Sequence, residues 1–285
     1  MPSATKNDES TSAVNGAGIG AANGATDLIP IPGFRLLEKL GEGAAAAVYR
    51  AMQQSPLREV AIKVLTPGQS VCAFRRESRL MAALAHAHVV AIHGFGETPR
   101  GPYLVMDYIG GTSLRSLMEP GRPWPVDQTV RVVSAIGSAL SHIHAQDILH
   151  LDLKPENVLY GANGQIKITD FGLAQSRIEA DAPAELGLAQ GTVHYGAPEQ
   201  RYGLPVDPRA DLFALATLAY ELLTGRLPGR VYVSARRANP AVPPALDDVL
   251  RQALARDRDE RQSTIEEFVA AVRRAADDHQ EPRCC

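Results

Sequence analysis

Two short motifs in the second half of the chain restrict its fold more than anything else in the sequence. His150-Leu151-Asp152-Leu153-Lys154-Pro155-Glu156-Asn157 is followed, thirteen residues after Asn157, by Asp170-Phe171-Gly172. Asp152 can orient a hydroxyl and accept its proton, while Asn157 and Asp170 offer the hard oxygen donors that magnesium ions prefer. Phosphoryl transfer from a metal-bound nucleotide needs two carboxylates and one amide at this spacing, so both motifs have to meet at one point of the fold.

Elements suited to holding a polyphosphate lie upstream, in order. Gly41-Glu42-Gly43-Ala44-Ala45-Ala46-Ala47-Val48 is a small-residue loop, Val60-Ala61-Ile62-Lys63 is a β-branched run ending in a lysine, and Glu77 follows fourteen residues later in Phe74-Arg75-Arg76-Glu77. Gly191-Thr192, Ala197-Pro198-Glu199, Asp211 and Arg261 come after the second motif. A lone glycine-rich loop would be weak evidence, but this ordered series resembles the catalytic domain of the protein kinase superfamily. The loop Asp-Leu-Lys-Pro-Glu-Asn is similar to the serine/threonine-specific form, and Glu-Gln after the Ala-Pro pair resembles the eukaryotic-like kinases of bacteria.

The resemblance implies an α+β, two-lobed kinase fold: a small lobe with a five-stranded antiparallel sheet and one helix, and a larger, mainly helical lobe. It also implies ATP as cofactor, bound between the lobes with Mg2+, for which Mn2+ is a candidate substitute. Gly41 and Gly43 would form the nucleotide loop, Val48 and Ala61 would cover the adenine, Leu159 would floor it, and the backbone of Asp107 and Ile109 would hydrogen-bond its edge. Met106 would guard the deeper pocket. Lys63 would pair with the phosphates and be held by Glu77, across a spacer that is short for the family. Asp152 would be the base, Lys154 would contact the transferring phosphate, and the Thr192 hydroxyl would bond to both. Asn157 and Asp170 would hold the metal. Glu199 and Arg261 would form a buried ion pair, and Asp211 would anchor the catalytic loop from below.

The hydrophobic period fits two lobes. Arg35 to Leu40, Val48 to Met52, Val60 to Leu65, Val89 to Phe95 and Tyr103 to Asp107 read as five strands, with a helix at Cys72 to Leu84. After Gly110-Gly111 the period turns helical, over Leu114 to Met118, Val126 to Gln146, Asp211 to Leu223, Ala245 to Ala255 and Thr264 to Ala275. Residues 1–28, rich in Ser, Thr, Ala, Gly and Asn, cannot offset the entropy of ordering and read as a disordered tail. Ser3, Thr5, Ser10, Thr11 and Ser12 there read first as a solvated leader and second as autophosphorylation sites. Residues 29–276 then form the kinase domain, with lobes at 31–109 and 110–276, and 277–285 form a C-terminal tail.

Composition excludes more than it adds. A net charge of −3 leaves no footprint for nucleic acid, and 285 residues at 45% hydrophobic content can fill the cores of one two-lobed domain. Cys72, Cys284 and Cys285 cannot make a disulfide framework, and no apolar run is long enough to span a bilayer. Membrane association is not expected. A soluble, cytoplasmic protein acting on protein substrates is, with its oligomeric state unreadable. The terminal cysteine pair lacks the apolar or polybasic neighbours of a lipidated end.

Three departures from the family pattern matter. Ala46 stands at the third glycine of the nucleotide loop, where a methyl removes freedom at positive φ. Leu151 stands where an arginine usually reads a phosphorylated activation loop, a pairing leucine cannot make. Between Leu173 and Gln190 the one hydroxyl is Ser176, while Glu179, Asp181 and Glu185 carry built-in negative charge, so activation should not depend on loop phosphorylation. Between Pro228 and Pro243 there is little room for the helix that often makes a docking platform; Arg230, Arg236 and Arg237 read as a solvated loop before a basic docking edge. Ala46 and Leu151 also motivate a second reading, a pseudokinase acting as an ATP-binding scaffold. A small-molecule kinase is a third, opposed by Gly191-Thr192 and Ala197-Pro198-Glu199.

Overall fold

A computed structural model describes residues 30–43, 46–99, 101–171, 175–176 and 194–277, without the side chains of 73, 76, 77, 80, 175 and 176. In the small lobe, β1 (Phe34–Glu42), β2 (Ala46–Gln54), β3 (Leu57–Leu65), β4 (Ile92–Thr98) and β5 (Gly101–Asp107) form one antiparallel sheet in the order β1-β2-β3-β5-β4. Helix α1 (Val71–Ala82) packs against β4 and β5. The alternation of β3 decides what each face does. Val60, Ile62 and Val64 point into a small core with Leu36, Ala51 and Val105, which turns Ala61 and Lys63 to the opposite face.

The large lobe is built on α3 (Val126–His144), which packs against α5 (Pro208–Thr224) and α7 (Ile265–Asp277), with α6 (Pro244–Ala253) against α7. Gly137 lets α3 approach α7 closely, since a Cβ there would overlap Val269. Helix α5 is mostly apolar and buried from Ala210 to Thr224, so it forms the lobe's centre. Its ends are marked by Asp207, whose side chain accepts from the Arg209 N–H, by Pro208 at the first turn, and by Gly225 in the left-handed region at φ +68°.

Beside the helices lie short strands that the sequence did not announce. β6 (Gly111–Ser113), β8 (Val158–Gly161) and β9 (Ile166–Ile168) form a three-stranded sheet, and β7 (Ile148–Leu149) pairs with β10 (Gln175–Ser176). Segments of two to four residues are too short to show a period. The fourth strand also begins at Ile92 rather than Val89. Val89 bridges Ile168, and the Val90 N–H donates to the Ile168 carbonyl at 3.0 Å, so these β-branched residues tie the small lobe to β9.

Among the described residues, 226–243 contain one 3-10 turn, Ala235–Arg237, and no α-helix, as the spacing before Pro243 implied. Asp247 holds this stretch in place, accepting from Tyr232 Oη at 2.7 Å and from the Ala235 N–H at 2.6 Å. Arg230, Arg236 and Arg237 are exposed. No helix among the described residues is long and apolar enough to cross a membrane.

Candidate active site

The two lobes enclose a cleft of about 400 Å³ whose walls come from both. Its inner wall is apolar: Ala61, Val90 and Met106 are buried together, and Val48, Ile109 and Leu159 pack against them. A flat aromatic base suits such a slot. The Asp107 N–H donates to the Ala91 carbonyl at 2.9 Å, which leaves the Asp107 carbonyl as the group it can offer a ligand. The Ile109 N–H makes no backbone hydrogen bond among the described residues. Gly41, Lys63, Asn157 and Asp170 line the polar end.

At that end, Lys63 Nζ lies 2.6 Å from Asp170 Oδ1, joining residues 107 positions apart. Lys63 reaches the cleft because β3 alternates. Asp170 does so because its backbone turns through φ +67°, a conformation a short polar side chain tolerates. Among the described residues no group of three or more His, Cys, Asp or Glu side chains is arranged to hold a metal alone. A hard cation at Asn157 and Asp170 would therefore complete its shell with phosphate oxygens and water, as magnesium does in nucleotide sites, and the oxygen donors present fit it.

Asp152 is the centre of a compact charged group. Lys154 Nζ lies 3.0 and 2.8 Å from its two carboxylate oxygens, and Asn157 Nδ2 donates to its Oδ2 at 3.0 Å and to its carbonyl at 2.9 Å. With the Asn157 amide nitrogen so used, its oxygen is the atom available to a metal. The 3-10 turn Pro155–Asn157 makes this possible by bringing Asn157 back toward Lys154, whose carbonyl accepts its N–H at 2.9 Å, and so toward Asp152.

The loop's own shape is enforced from beneath. Leu151 sits at φ +62°, a costly conformation for a leucine. Fully buried Asp211 accepts from the His150 N–H at 2.9 Å, the Leu151 N–H at 2.8 Å and His144 Nε2 at 2.8 Å. Burial alone would raise this carboxyl, but the His144 hydrogen bond, the nearby imidazoles and the His150 N–H bring it below the usual carboxylate range. Burial pushes His150 down, so its ring is neutral, packed on Phe171 at 4.7 Å and accepting weakly from the Asp152 N–H at 3.3 Å.

Glu199 and Arg261 form the two-pronged pair anticipated, at 2.7 and 2.9 Å, both buried, with the guanidinium 4.9 Å over the Phe213 ring. Glu199 belongs to α4 (Pro198–Arg201), so the pair fixes that helix to the end of the domain. Leu151 lies in an apolar pocket with Leu149, Ala197, Val206, Ala210 and Phe213. The residue that stands in for the family's arginine is thus part of a core. Ala46 is a buried β2 residue paired with Leu65, so it stands in a strand.

Thus Gly41, Val48, Ala61, Lys63, Asp107, Ile109, Leu159, Asn157 and Asp170 line one cleft, with Asp152 bonded to both Asn157 and Lys154. Gly43 is not among the residues lining the cleft; its N–H donates to the Ala46 carbonyl at 2.9 Å. Thr192 and the side chain of Glu77 lie outside the described residues, as do residues 1–29 and 278–285. Three features escaped the sequence reading. Val90 lines the cleft, hidden because its run, Val89 to Phe95, read as a strand of the sheet. Gln200 donates from Nε2 to the Leu151 carbonyl at 2.6 Å, and its position after Glu199 was the available signal. Arg115 on α2 (Leu114–Leu117) joins Glu156, Glu221 and the Tyr195 hydroxyl, a network formed across four separate segments.

Comparison with known proteins agrees with this geometry. The family described as protein kinase domain matches residues 34–271. The serine/threonine-protein kinase PrkC of Bacillus subtilis is 33% identical over 86% of this chain and 40% of its own length. Pkn1 of Myxococcus xanthus is 36% identical over 86% of the chain and 38% of its own, and PknB of Mycobacterium leprae 34% over 83% and 42%. The chain therefore spans about two fifths of the length of these relatives. It belongs to the protein kinase family, as a catalytic domain of the bacterial serine/threonine type.

Proposed function

We propose that residues 29–276 form an active protein serine/threonine kinase domain that transfers the γ-phosphate of ATP to hydroxyls of protein substrates. The observation that carries the reading is the union of Asp152, Lys154 and Asn157 within 3.0 Å, next to a cleft in which Lys63 reaches Asp170. Magnesium-bound ATP supplies the phosphoryl group and neutralises charge on the phosphates. Asp152 orients the acceptor hydroxyl and takes its proton. Lys154, held on the same carboxylate, is placed to meet the phosphate oxygens as they approach. Lys63 meets the phosphates from the small lobe, and Asn157 and Asp170 supply the metal's protein ligands. In the same reading the Thr192 hydroxyl would bond to Asp152 and Lys154, and Glu77 would hold Lys63.

The need for ATP makes the cytoplasm the compartment of this domain. Serine and threonine as acceptors rest on Lys154 in its loop and on the relatives being named serine/threonine-protein kinases. Leu151 in an apolar pocket supports activity without phosphate on the loop, since a leucine offers no cation to pair with one. The scaffold reading is weakened, because Ala46 is a paired strand residue and the Leu151 side chain is packed in a core. The test is transfer of labelled γ-phosphate, with magnesium and with manganese, to the domain itself and to a generic basic protein. Label on serine or threonine that disappears in Asp152→Asn supports the proposal. A folded wild type that binds ATP and transfers nothing refutes it.

A further inference from the structure

Leu151 is gripped at both of its backbone polar groups, by different parts of the fold. Asp211 of α5 takes its N–H at 2.8 Å, and Gln200 of α4 donates to its carbonyl at 2.6 Å. Both partners are buried, Gln200 to 2% exposure. The Leu151 carbonyl and the Asp152 N–H belong to one rigid peptide plane, so fixing the carbonyl fixes the plane from which the Asp152 side chain departs. The bond on the other edge of that plane is the weaker contact of the Asp152 N–H with His150 Nδ1, at 3.3 Å. Gln200 is therefore the stronger hold on that plane.

The neighbours of Gln200 give this hold a direction. Glu199, one residue earlier, is bound to Arg261, and Ala197 packs on the Leu151 side chain. The stretch that ends the activation segment thus meets the residue before Asp152 by packing and by one buried hydrogen bond. We infer that Gln200 is a positioning residue, through which the seating of α4 sets the orientation of Asp152. This rests on the kinase reading above. The titratable groups around the shared peptide are Asp152 and His150 in the loop, Asp211 and His144 beneath it, and the Glu199–Arg261 pair.

Two variants test it in the full chain. Gln200→Leu keeps the bulk and removes the donor, and kcat should fall by up to about a hundredfold, as it does for a group displaced by an ångström. KM for ATP and affinity for a fluorescent ATP analogue should be unchanged, because Gln200 lies outside the cleft lining. Gln200→Glu donates to the Leu151 carbonyl only while protonated. Its rate should approach wild type in acid and fall as pH rises through the glutamic acid pKa, which burial raises. Wild type has no such group and should lack that limb. A purely space-filling role predicts parallel pH profiles for Gln200→Glu and wild type; that result, or full kcat in a folded Gln200→Leu, overturns the inference alone. If Gln200→Leu does not fold, the Gln200→Glu profile decides. An inactive wild type overturns this inference together with the functional reading.

Discussion

Exchanging Asp211 for asparagine keeps the size of the side chain and spoils its bonding in a way the geometry makes countable. In the native protein Oδ1 serves the Leu151 N–H at 2.8 Å, while Oδ2 serves the His150 N–H at 2.9 Å and His144 Nε2 at 2.8 Å. The asparagine has one acceptor and should aim it at the two donors. Its NH2 then faces the Leu151 N–H, donor against donor, with Asp211's position fully buried. A buried donor left unpaired costs about 1–3 kcal/mol, and the two surviving bonds lose their charge assistance, about 1 kcal/mol together. The total is roughly 3 kcal/mol, which for a domain of this size lowers Tm by about 6–12 °C.

The same substitution should act on the chemistry. Leu151 at φ +62° costs on the order of 1–2 kcal/mol to maintain, and Asp211 is one of its two backbone restraints. With that restraint gone, kcat should fall while KM for ATP holds. The pH dependence has a definite sign. The Asp211 carboxyl titrates below its unfolded value, so its contribution is complete above about pH 4 and is lost as pH falls further. The stability gap between wild type and Asp211→Asn should therefore narrow in acid. Calorimetry and urea unfolding at neutral and acid pH, with initial-rate assays beside them, measure each part. A variant melting within 2 °C of wild type, ~0.5–1 kcal/mol on the same conversion, with unchanged kcat, would refute the argument.

Arg261→Ala leaves Glu199 buried without its counter-charge and should cost about 3–5 kcal/mol in urea unfolding; a loss under about 1 kcal/mol would mean the pair holds little. Leu151→Ala opens a cavity among Leu149, Val206 and Phe213 and should cost about 2–5 kcal/mol, and phosphatase treatment of wild type should leave its rate unchanged. Activity that tracked phosphate on Ser176 or Thr192 in mass spectrometry would contradict the second half. His150 is depressed by burial, so the unfolded chain takes up a proton first and stability falls as pH drops below about 6.5. His150→Phe should remove that share of the slope; an unaltered slope would show that the burial is not felt.

The parts of the fold legible in the sequence are those whose pattern is long or whose chemistry is local. The strand Val60-Ala61-Ile62-Lys63 shows both its period and its lysine, and α3 shows nineteen residues of helical repeat. The catalytic motif could be read because its members lie within six residues and fold back through one turn. What stayed hidden is made by contacts between distant segments. Arg115, Glu156, Tyr195 and Glu221 carry no shared spacing, and the bond from Gln200 to the Leu151 carbonyl involves a backbone atom that any residue would offer. The strands β6 to β9 exist because tertiary pairing selects them, and two to four residues hold too little pattern to reveal it.

The two substitutions that make the sequence look defective take another meaning from their surroundings. A glycine at position 46 would be needed if the backbone turned through positive φ there, but Ala46 is an ordinary strand residue bonded in register with Leu65. An arginine at position 151 would be needed if its charge met a phosphate, but the side chain there points among Leu149, Ala197 and Phe213, where a guanidinium would be buried without a partner. Leucine instead contributes burial where the arginine would contribute a switch. Each departure falls on a supporting position whose neighbours accept the replacement, while Lys63, Asp152, Asn157 and Asp170 keep the chemistry their positions require. A chain losing its activity has no reason to spare those four in particular. On the functional reading proposed above, a leucine at 151 beside an intact Lys63, Asp152, Asn157 and Asp170 fits a kinase whose control does not pass through a phosphate on its activation loop.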